Sequence, residues 1–485
     1  MKLKFRADKD DLIIFGVFAL FLLYIIAIGI VNLHTLTTEG VFSGFNPFLA
    51  FTPKFLWMTL LIYIVSLIGM FASVKSYFFE MEKGFGITTE KKDKGYSRWA
   101  KDKEIQQELT MVPLQAETAS AGGVPLILKE NEAWVDNGEY HTLVIGATGS
   151  GKTQTVIKPT VKLLAKNGES MIITDPKGEI YESTASMLRE KGYDVQVLNF
   201  RNPQAGSGWN PLTLPYHMYK SGNQDKAIEL LDDLALNILY DSSNANADPF
   251  WEKTSADYFS GVVLGLFEDA KEEEINLKSV TSLSEQINNS KESIIDKIDR
   301  SSTAYQYLFN TLGTATETKA GILVTFNQRI KKFVTKENLS NSMSKSDFDI
   351  NNIGNEKTAI IVISGISSYV NNLITILLDQ IFCSVQLYGN KNERFNLVID
   401  EFDNLLPIVD FYSKFNYARG ININITAFIK NFTNLRNIYG NKNYELIRMC
   451  FDNIIYLLAN DLYTLEEISN LCGNSNKGPL ISPLE

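Results

Sequence analysis

Two long apolar runs near the amino terminus dominate the hydrophobic pattern of the chain. Residues 12–31 and residues 55–74 are each twenty residues long and contain no charged side chain. About 20 apolar residues are enough for a helix to cross the hydrocarbon core of a bilayer, so each run predicts a transmembrane helix. A cleaved signal peptide has a shorter apolar stretch. Two buried helices of a soluble protein are the alternative, and the length and purity of the runs disfavour it.

The distribution of lysine and arginine around the two runs predicts their orientation. Four basic residues precede the first run and five lie within residues 75–94, whereas residues 32–54 contain only Lys54. Basic residues favour the cytoplasmic side of a membrane. We therefore expect residues 1–11 and the chain after residue 74 to be cytoplasmic, and residues 32–54 to form a short loop outside the cell membrane.

From residue 140 onward, short apolar segments alternate with amphipathic ones. Seven apolar segments have the length and the flanking residues of strands: Thr142 to Ile145, Ser170 to Thr174, Tyr193 to Phe200, Thr358 to Ser364, Phe395 to Ile399, Asn422 to Ile429 and Asn453 to Ala459. Helical segments stand between them, for example residues 180–191 and residues 369–387. This alternation predicts an α/β fold in which helices cover both faces of a parallel sheet.

A long helical segment interrupts the alternation. Residues 224–340 contain amphipathic stretches and no convincing strand, so we expect an all-helical domain inserted into the sheet domain. The sheet domain would then consist of residues 140–223 and residues 341–485. Residues 75–139 are a mixed, charged connector, which we expect to join the membrane anchor to the sheet domain and to supply an edge strand or two.

The acidic surplus of the chain is concentrated in this insertion. The formal net charge of the chain is −10, and residues 225–300 alone contain 17 acidic and 7 basic residues, a balance of −10. A negative chain disfavours a protein that coats itself with nucleic acid. The acidic segment is typical either of a docking surface for basic partners or of an ordinary solvated helical surface.

The first predicted strand leads into a phosphate-binding loop. Gly146, four further residues, Gly151, Lys152 and Thr153 fit the motif, and a segment that can form a helix follows. In this motif backbone N–H groups hold phosphates, the lysine reaches the β- and γ-phosphates, and the threonine hydroxyl holds Mg²⁺. We therefore expect ATP and Mg²⁺ as cofactors. The predicted binding residues in the loop are Gly146, Ala147, Thr148, Gly149, Ser150, Gly151, Lys152 and Thr153.

Acidic and basic residues that could complete an ATPase site follow later strands. Asp400, after the strand at residues 395–399, can hold Mg²⁺ through water, and Glu401 can act as general base for the attacking water. An acidic pair alone is common, but beside a phosphate-binding loop in the same domain it predicts ATP hydrolysis. Arg419 is a candidate for the arginine that ring-shaped motors supply to a neighbouring subunit. A surface arginine is the alternative.

Several motifs occur together in a fixed order. After the two apolar runs come YSRWA at residues 96–100, DPKGE at 175–179, WNPL at 209–212, DPFW at 248–251 and DEF at 400–402. In this combination the chain resembles the conjugative type IV coupling proteins of the TraG/TraD type, a branch of the RecA-like and FtsK-like P-loop ATPases. The resemblance covers the chain from about residue 95 onward.

The resemblance implies a RecA-like sheet domain with an all-helical domain that meets transfer substrates. It also implies a membrane-anchored homo-hexamer that couples a single DNA strand, bound to its relaxase, to a type IV secretion channel. By position, it implies nucleotide and Mg²⁺ contacts for Lys152 and Thr153, the second ATPase motif for Asp400 and Glu401, and an arginine presented to the next subunit for Arg419.

The chain departs from the family pattern at two places. In the family, the strand after the arginine ends in a glutamine that senses the γ-phosphate, and here that position is Lys430. A lysine can contact phosphate as a point charge, but it cannot both donate and accept as an amide does. We expect Lys430 to contact the nucleotide, and we expect the coupling of ATP hydrolysis to movement to be altered. Residues 478–485 resemble a stretch that continues in the family, which suggests a truncated carboxyl end.

Three functions fit the sequence to different degrees. The motifs in their order favour a membrane-anchored ATPase that delivers or pumps single-stranded DNA, with bound relaxase, to a secretion channel. An FtsK-type DNA translocase shares the motor but predicts more spans and a DNA-reading tail. A nucleotide-binding receptor that docks substrate proteins and hydrolyses little ATP is favoured by Lys430 and by the short carboxyl end.

Overall fold

The structure is a computed structural model. It describes residues 2–5, 9–82, 86–88, 98–239, 248–289, 299–353, 355–365, 368–390, 393–405 and 411–473. The described residues fall into two compact units, one that contains the chain up to Arg98 and one that spans Trp99–Cys472.

Both predicted spans of the first unit are helices. Helix α1 (Lys9–Thr38) contains the candidate membrane span Ile13–Thr38, and helix α2 (Leu56–Phe78) contains Leu56–Ser73. Only 11 % and 6 % of these two segments are buried by protein, and their mean hydropathies are 2.9 and 2.0. Long helices that expose apolar side chains all round are typical of membrane spans, which indicates a membrane anchor at this end of the chain.

Helix α1 ends at Thr38, later than the predicted end at residue 31. The extra turns contain polar residues whose side chains bond to carbonyls of the preceding turn, such as Thr37 Oγ1 to Leu33 O at 2.8 Å. Asn32 also closes the following loop, because it donates to Gly44 O at 2.8 Å and accepts from Ser43 N at 2.8 Å. Polar residues can therefore continue the helix, and the loop between the two helices is shorter than predicted.

A small sheet that the sequence did not predict joins the ends of the helical pair. Its strands are β1 (Lys2–Phe5), β2 (Phe79–Glu82) and β3 (Gly86–Thr88), with β1 antiparallel to β2 and parallel to β3. Because β1 precedes α1 and β2 follows α2, the chain enters and leaves the helical pair on the same side.

The second unit begins with a helix and a separate three-stranded antiparallel sheet in the order β4-β6-β5. The elements are α3 (Asp102–Glu108), β4 (Thr110–Pro113), β5 (Pro125–Leu128) and β6 (Glu132–Val135). The prediction that this connector supplies an edge strand of the main sheet is wrong for the described residues. Val112, Ala133 and Val135 instead pack with Leu163 of a main-sheet helix, so the small sheet has its own apolar contact.

The main sheet has seven parallel strands in the order β13-β7-β12-β11-β8-β10-β9. In chain order the strands are β7 (Thr142–Gly146), β8 (Ser170–Thr174), β9 (Asp194–Asn199), β10 (Thr358–Ile363), β11 (Phe395–Ile399), β12 (Ile423–Ile429) and β13 (Asn453–Leu458). Each lies where the hydrophobic pattern predicted a strand, with ends that differ by at most about one residue.

Helices cover both faces of this sheet. In chain order they are α4 (Lys158–Asn167), α5 (Glu179–Glu190), then α6 (Thr213–Lys220) to α12 described below, α13 (Ser368–Tyr388), α14 (Phe411–Gly420), α15 (Phe432–Met449) and α16 (Leu462–Cys472). Alternate strand residues point to opposite faces: Leu143 and Ile145 belong to one apolar core, and Val144 belongs to the other. The predicted α/β class is confirmed.

The inserted segment is helical throughout its described part. Its helices are α7 (Gln224–Leu239), α8 (Pro249–Asp269), α9 (Leu277–Asn289), α10 (Thr303–Leu312), α11 (Thr316–Val334) and α12 (Glu337–Ser342). Their apolar side chains form one core with a face of the main sheet. The insertion therefore shares its core with the sheet domain.

Helix α13 connects the insertion to the sheet. Its segment Tyr369–Tyr388 is also long and apolar enough to cross a membrane, but 83 % of it is buried by protein. Three of its polar side chains bond to backbone carbonyls of other segments: Asn372 to Asn237 O at 2.7 Å, Gln380 to Pro211 O at 2.6 Å and Ser384 to Ile350 O at 2.6 Å. Its apolar composition is therefore explained by burial inside the unit.

A buried ion pair of the main sheet also contacts the segment that leads into the small sheet, and its removal should cause a measurable loss of stability. Arg394 donates from Nε and Nη2 to the two oxygens of Glu169, at 2.8 and 2.7 Å, and Nη2 also donates to Gly122 O at 2.6 Å. We expect Arg394→Met to lower the free energy of unfolding by about 3–5 kcal/mol, because it leaves the Glu169 carboxylate buried and unpaired. Urea unfolding of a fragment of residues 99–473 measures this change.

The matched control for this prediction is the exposed pair Lys129–Glu132, whose atoms are 3.0 Å apart. Lys129→Met should change the free energy of unfolding by about 1 kcal/mol or less, because an exposed pair is screened by water. Equal effects of the two substitutions would contradict the role of Arg394.

Candidate active site

The predicted site residues, with the exception of Arg419, meet at one edge of the main sheet. Strands β7, β12, β11 and β8 are consecutive neighbours, and all run in the same direction. Their carboxyl ends therefore lie side by side, and each is followed by polar residues. The segments after these four strands line a cleft of about 250 Å³. They include the loop 147–154, Asp175, the pair Asp400–Glu401 and Lys430.

The loop after β7 has the backbone of a phosphate cradle. Gly149 and Gly151 have φ angles of +84° and +86°, a region that other residues enter only with strain. Ala147 N donates to Leu458 O of β13 at 2.8 Å, which ties the loop to the neighbouring strand. Ser150 Oγ is buried and has no hydrogen-bond partner among the described residues. A hydroxyl of this kind at the cradle suits a ligand oxygen.

The helix that follows the loop starts with an irregular turn. Residues Thr153–Ile157 form a π-helical turn, in which Lys158 N bonds to Thr153 O. Pro159, just after this turn, has no N–H to donate and cannot continue the α-helical ladder, which explains the irregularity. The first N–H groups of a helix are not used by the helix itself, so they are available to an anion.

Lys152 lies inside the cleft at the start of this helix. Its Nζ donates to the carbonyl oxygen of Gly146, the first residue of the loop. Burial lowers the pKa of the Lys152 ammonium, and the carboxylates of Asp400, Asp403 and Glu401 oppose the shift. The ammonium is therefore held between the loop and the acidic edge, where a phosphate group could replace the carbonyl as its partner.

The acidic pair after β11 has two different environments. Burial is the main cause that raises the pKa of the Asp400 carboxyl to about 6; Lys152 opposes the shift, and Glu401 and Asp175 contribute to it. Thr174 Oγ1 donates to Asp400 O at 2.9 Å and so joins the ends of β8 and β11. A buried carboxyl with acidic neighbours is an environment that a divalent cation would stabilise.

Glu401 is held in an unusual backbone conformation. Its φ and ψ angles of 54° and 42° lie in the left-handed region, which costs about 1–2 kcal/mol for a residue other than glycine. Its carboxylate accepts from Asn404 Nδ2 at 2.7 Å, and Lys430 Nζ lies 3.8 Å from its other oxygen. Strain of this kind is concentrated at functional sites, which fits the predicted role of Glu401.

Two acidic residues that were not predicted as site residues accept backbone hydrogen bonds at this edge, and Glu179 also lines the cleft. Asp175 lines the cleft, and its carboxylate accepts from the backbone N–H groups of Gly178, Ile180 and Tyr181 at 2.8–2.9 Å. It therefore caps α5 while it faces the site. An aspartate between an apolar strand and a turn that opens a helix was the sequence signal that could have identified it.

Asp403 is the second of these acidic residues. It is 1 % exposed and accepts from Lys430 N at 3.0 Å and from Asn434 Nδ2 at 3.3 Å, both through Oδ2. It therefore holds the segment after β12 against the segment after β11. Local sequence could not identify this contact, because its partners are 27 and 31 residues away.

Arg419 lies away from this cleft within the chain. It lies in the last turn of α14 and precedes β12, near the amino ends of the parallel strands. Its Nη2 donates to Asp452 Oδ2 and also to Cys450 O at 3.3 Å. Its predicted role at the site of a neighbouring subunit stays a prediction.

The residues present fit a nucleotide with a divalent cation. The cleft combines a glycine cradle at a helix start, a lysine beside it, an unpaired Ser150 hydroxyl and the buried Asp400 carboxyl. The first three suit phosphate oxygens, and the last, with the Thr153 hydroxyl at the cleft, suits Mg²⁺.

Residues 90–476 match the protein family described as "Type IV secretory system Conjugative DNA transfer". No curated protein sequence matches the chain.

The fold is similar to solved structures of the plasmid coupling protein TrwB. The complex of TrwB with the non-hydrolysable ATP analogue ADPNP has a TM-score of 0.59 at 16 % identity, and the alignment covers 79 % of this chain and 84 % of TrwB. The complex of TrwB with ADP and Mg²⁺ has a TM-score of 0.57 at 16 % identity, with coverages of 78 % and 83 %. An unbound form of TrwB, described as a bacterial conjugative coupling protein, has a TM-score of 0.57 at 17 % identity, with coverages of 78 % and 81 %.

The contact made by Asp403 predicts a specific loss of stability. We expect Asp403→Leu to lower the free energy of unfolding of the 99–473 fragment by about 1–3 kcal/mol, because the Lys430 N–H loses its acceptor. Burial raises the pKa of Asp403, so a neutral residue with an acceptor oxygen should be tolerated. Asp403→Asn is therefore the control, and urea unfolding should show a clearly smaller loss. Equal losses would contradict the hydrogen-bond explanation.

Proposed function

Because the chain belongs to the type IV secretory system conjugative DNA transfer family, we propose that it is a membrane-anchored ATPase coupling protein. The observation that carries the proposal is the single cleft in which the phosphate-binding loop, Asp400, Glu401 and Lys430 meet. In this proposal the protein binds relaxosome and DNA substrates and delivers single-stranded DNA, with bound relaxase, to a type IV secretion channel.

The chain's own residues would divide the chemistry of ATP hydrolysis. The loop 146–153 would bind the phosphates, and Lys152 would place its charge near the β- and γ-phosphates. Thr153 and Asp400 would hold Mg²⁺, which supplies neutralising charge to the phosphates when it is bound. Glu401 would accept a proton from the attacking water. The fixed left-handed backbone of Glu401 would keep its carboxylate at the cleft.

Lys430 would sense the bound phosphate in place of an amide. In the structure its ammonium lies 3.8 Å from the Glu401 carboxylate. A bound phosphate would compete for this ammonium, and the carboxylate would then lose a charge partner that lowers its basicity. We propose that Lys430 thereby couples phosphate binding to the activity of Glu401.

The same ion pair supports a second candidate function. If Lys430 kept its contact with Glu401, the general base would stay neutralised, and the protein would bind nucleotide with little hydrolysis. It would then act as a docking receptor for transfer substrates. Turnover measurements separate this possibility from the motor.

The remaining parts of the proposal concern the assembly. The apolar helices α1 and α2 would anchor the protein in the cell membrane as two spans, with the unit Trp99–Cys472 in the cytoplasm. Six copies would form a ring in which Arg419 of each copy completes the site of the next. Relaxase, single-stranded DNA and secretion channel components would be the partners.

The turnover of ATP by the full chain in detergent, with and without single-stranded DNA, tests the motor. We expect stimulation by DNA in the unchanged protein. Lys152→Ala should lower turnover by about a hundredfold or more, because one fixed charge at the phosphates is lost. Glu401→Gln should lower it by about 10²–10⁴-fold, because the general base is lost.

The control for this prediction is Lys162→Ala, which removes an exposed lysine from α4 outside the cleft. It should keep normal turnover. Normal DNA transfer in cells whose Lys152→Ala protein is inserted in the membrane as usual would contradict the motor proposal. Nucleotide binding without turnover in the unchanged protein would favour the docking receptor.

The contribution of Arg419 is tested by mixing two inactive variants. Arg419→Ala alone should lower turnover by about a thousandfold, the scale of an arginine that stabilises transferring phosphoryl groups. Mixed with Lys152→Ala protein, it should regain part of the turnover, because an intact Lys152 site can then meet an intact Arg419 from a neighbour. If no turnover is recovered, the role of Arg419 is limited to its contact with Asp452 in its own chain.

A further inference from the structure

A second and larger cleft lies at the base of the helical insertion. It has a volume of about 800 Å³ and lies wholly within the unit Trp99–Cys472. Its walls come from residues 209–217, residues 272–273 and residues 344–350, and Gln380 of α13 lies between them. The first and the third of these segments carry the chain into the insertion and back to β10. The cleft is separate from the site at the carboxyl edge of the sheet, because the two share no lining residue.

Gln380, which lines this cleft, has a buried side-chain oxygen without a hydrogen-bond partner among the described residues. Gln380 is 2 % exposed, and its Nε2 donates to Pro211 O at 2.6 Å. That bond determines which end of the amide is the donor, since the opposite orientation would bring two oxygens together. The remaining oxygen, Oε1, is buried and accepts no hydrogen bond from the described residues. A buried acceptor of this kind is destabilising unless a donor reaches it, which indicates a ligand with N–H groups.

The charged side chains that line the cleft are mostly acidic. They are Glu272, Glu273, Asp347 and Asp349 against Lys345, a formal balance of −3 when histidine is not counted. Two of these carboxylates have partners in the cleft: Lys345 Nζ lies 3.0 Å from Asp347 Oδ1, and His217 Nε2 lies 2.7 Å from Glu272 Oε1. The hydrogen bond from Gly208 N lowers the pKa of Asp347, so this carboxylate is ionised at neutral pH. The cleft thus attracts a cation.

The apolar part of the lining indicates which kind of cation the cleft can bind. Trp209, Leu214 and Phe348 line the same cleft as the carboxylates. Aromatic and aliphatic side chains accommodate the stem of a lysine or the flat face of a guanidinium, and carboxylates and an amide oxygen accept from its N–H groups. A small inorganic cation would use the carboxylates but not this apolar lining.

We propose that this cleft binds an arginine- or lysine-bearing segment of a partner polypeptide. The donor of the bound side chain would satisfy Gln380 Oε1, and the carboxylates at the rim would match its charge. The identification of the partner as a protein handled during transfer rests on the proposed function. The binding of the basic segment itself requires no ATP turnover. The occupied cleft would lie against α13, the helix that packs between the insertion and the sheet.

The experiment measures binding of a fluorescein-labelled peptide of alternating arginine and serine to the full chain in detergent, by fluorescence anisotropy. A peptide of alternating glutamate and serine serves as the negative probe. We expect saturable binding of the arginine peptide that weakens as salt is raised, since exposed charges are screened. Gln380→Met, which keeps the volume but removes both Oε1 and the Nε2 donor to Pro211 O, should weaken the affinity by about tenfold.

A double substitution tests the rim charges without disturbing the fold. Asp349 caps a short helix by accepting from Asn351 N at 2.9 Å, and asparagine caps as well as aspartate. Glu273→Gln with Asp349→Asn therefore removes two charges and keeps the cap, and it should weaken peptide binding by about tenfold or more at low salt. The matched control is Asp269→Asn with Glu285→Gln, which removes two exposed charges of the insertion outside the cleft.

Two results would overturn the cleft as the binding site. One is the absence of saturable binding of the arginine peptide. The other is an equal loss of affinity in the control pair, which would assign binding to the acidic surface in general. ATP turnover is measured on the same samples. Turnover without peptide binding would refute the cleft alone, whereas peptide binding without turnover would support the cleft and refute the motor.

Discussion

The parallel pairing of the seven strands of the main sheet is the constraint on which the rest of the second unit depends. Parallel strands bring their carboxyl ends to one edge, and the order β7-β12-β11-β8 makes four site segments neighbours there. These segments are far apart in the chain, since Lys152 and Lys430 are separated by 278 positions. A cleft with a glycine cradle, three lysines and several carboxylates follows from backbone hydrogen bonding between four strands that carry no charged side chain themselves.

The charged groups at this edge are stable because each is held by several contacts. Asp400 and Asp403 are buried, and burial alone would favour their neutral forms. Lys152, backbone N–H groups and Asn434 offset part of that cost. Glu401 keeps a strained backbone where Asn404 and Lys430 meet its carboxylate. A site of this kind is prepared for a ligand that carries both negative phosphate and positive metal charge.

Helix α13 gives the two clefts a shared structural element. It packs in the core that joins the insertion to the sheet, and its polar side chains bind α7, the loop that contains Pro211, and the segment that leads into β10. A ligand at the base of the insertion would therefore contact the same core that supports the strands of the active site. In the proposed function, bound substrates must influence the ATPase site, and this shared core is a physical route between the two.

The sequence by itself determined the α/β class, the seven strands, the helical insertion, the two apolar helices and the phosphate-binding loop. These depend on the periodicity of apolar residues and on glycine conformations, which are local properties. Only the tertiary structure decided that the connector forms its own sheet. It also decided that α13, which is long and apolar enough to span a membrane, is buried within the protein, and that Asp403 accepts a hydrogen bond from Lys430 N. The tertiary structure also placed Gln380, whose side-chain oxygen has no partner among the described residues, at an acidic cleft. These features depend on contacts between residues far apart in the chain, which the local pattern does not encode.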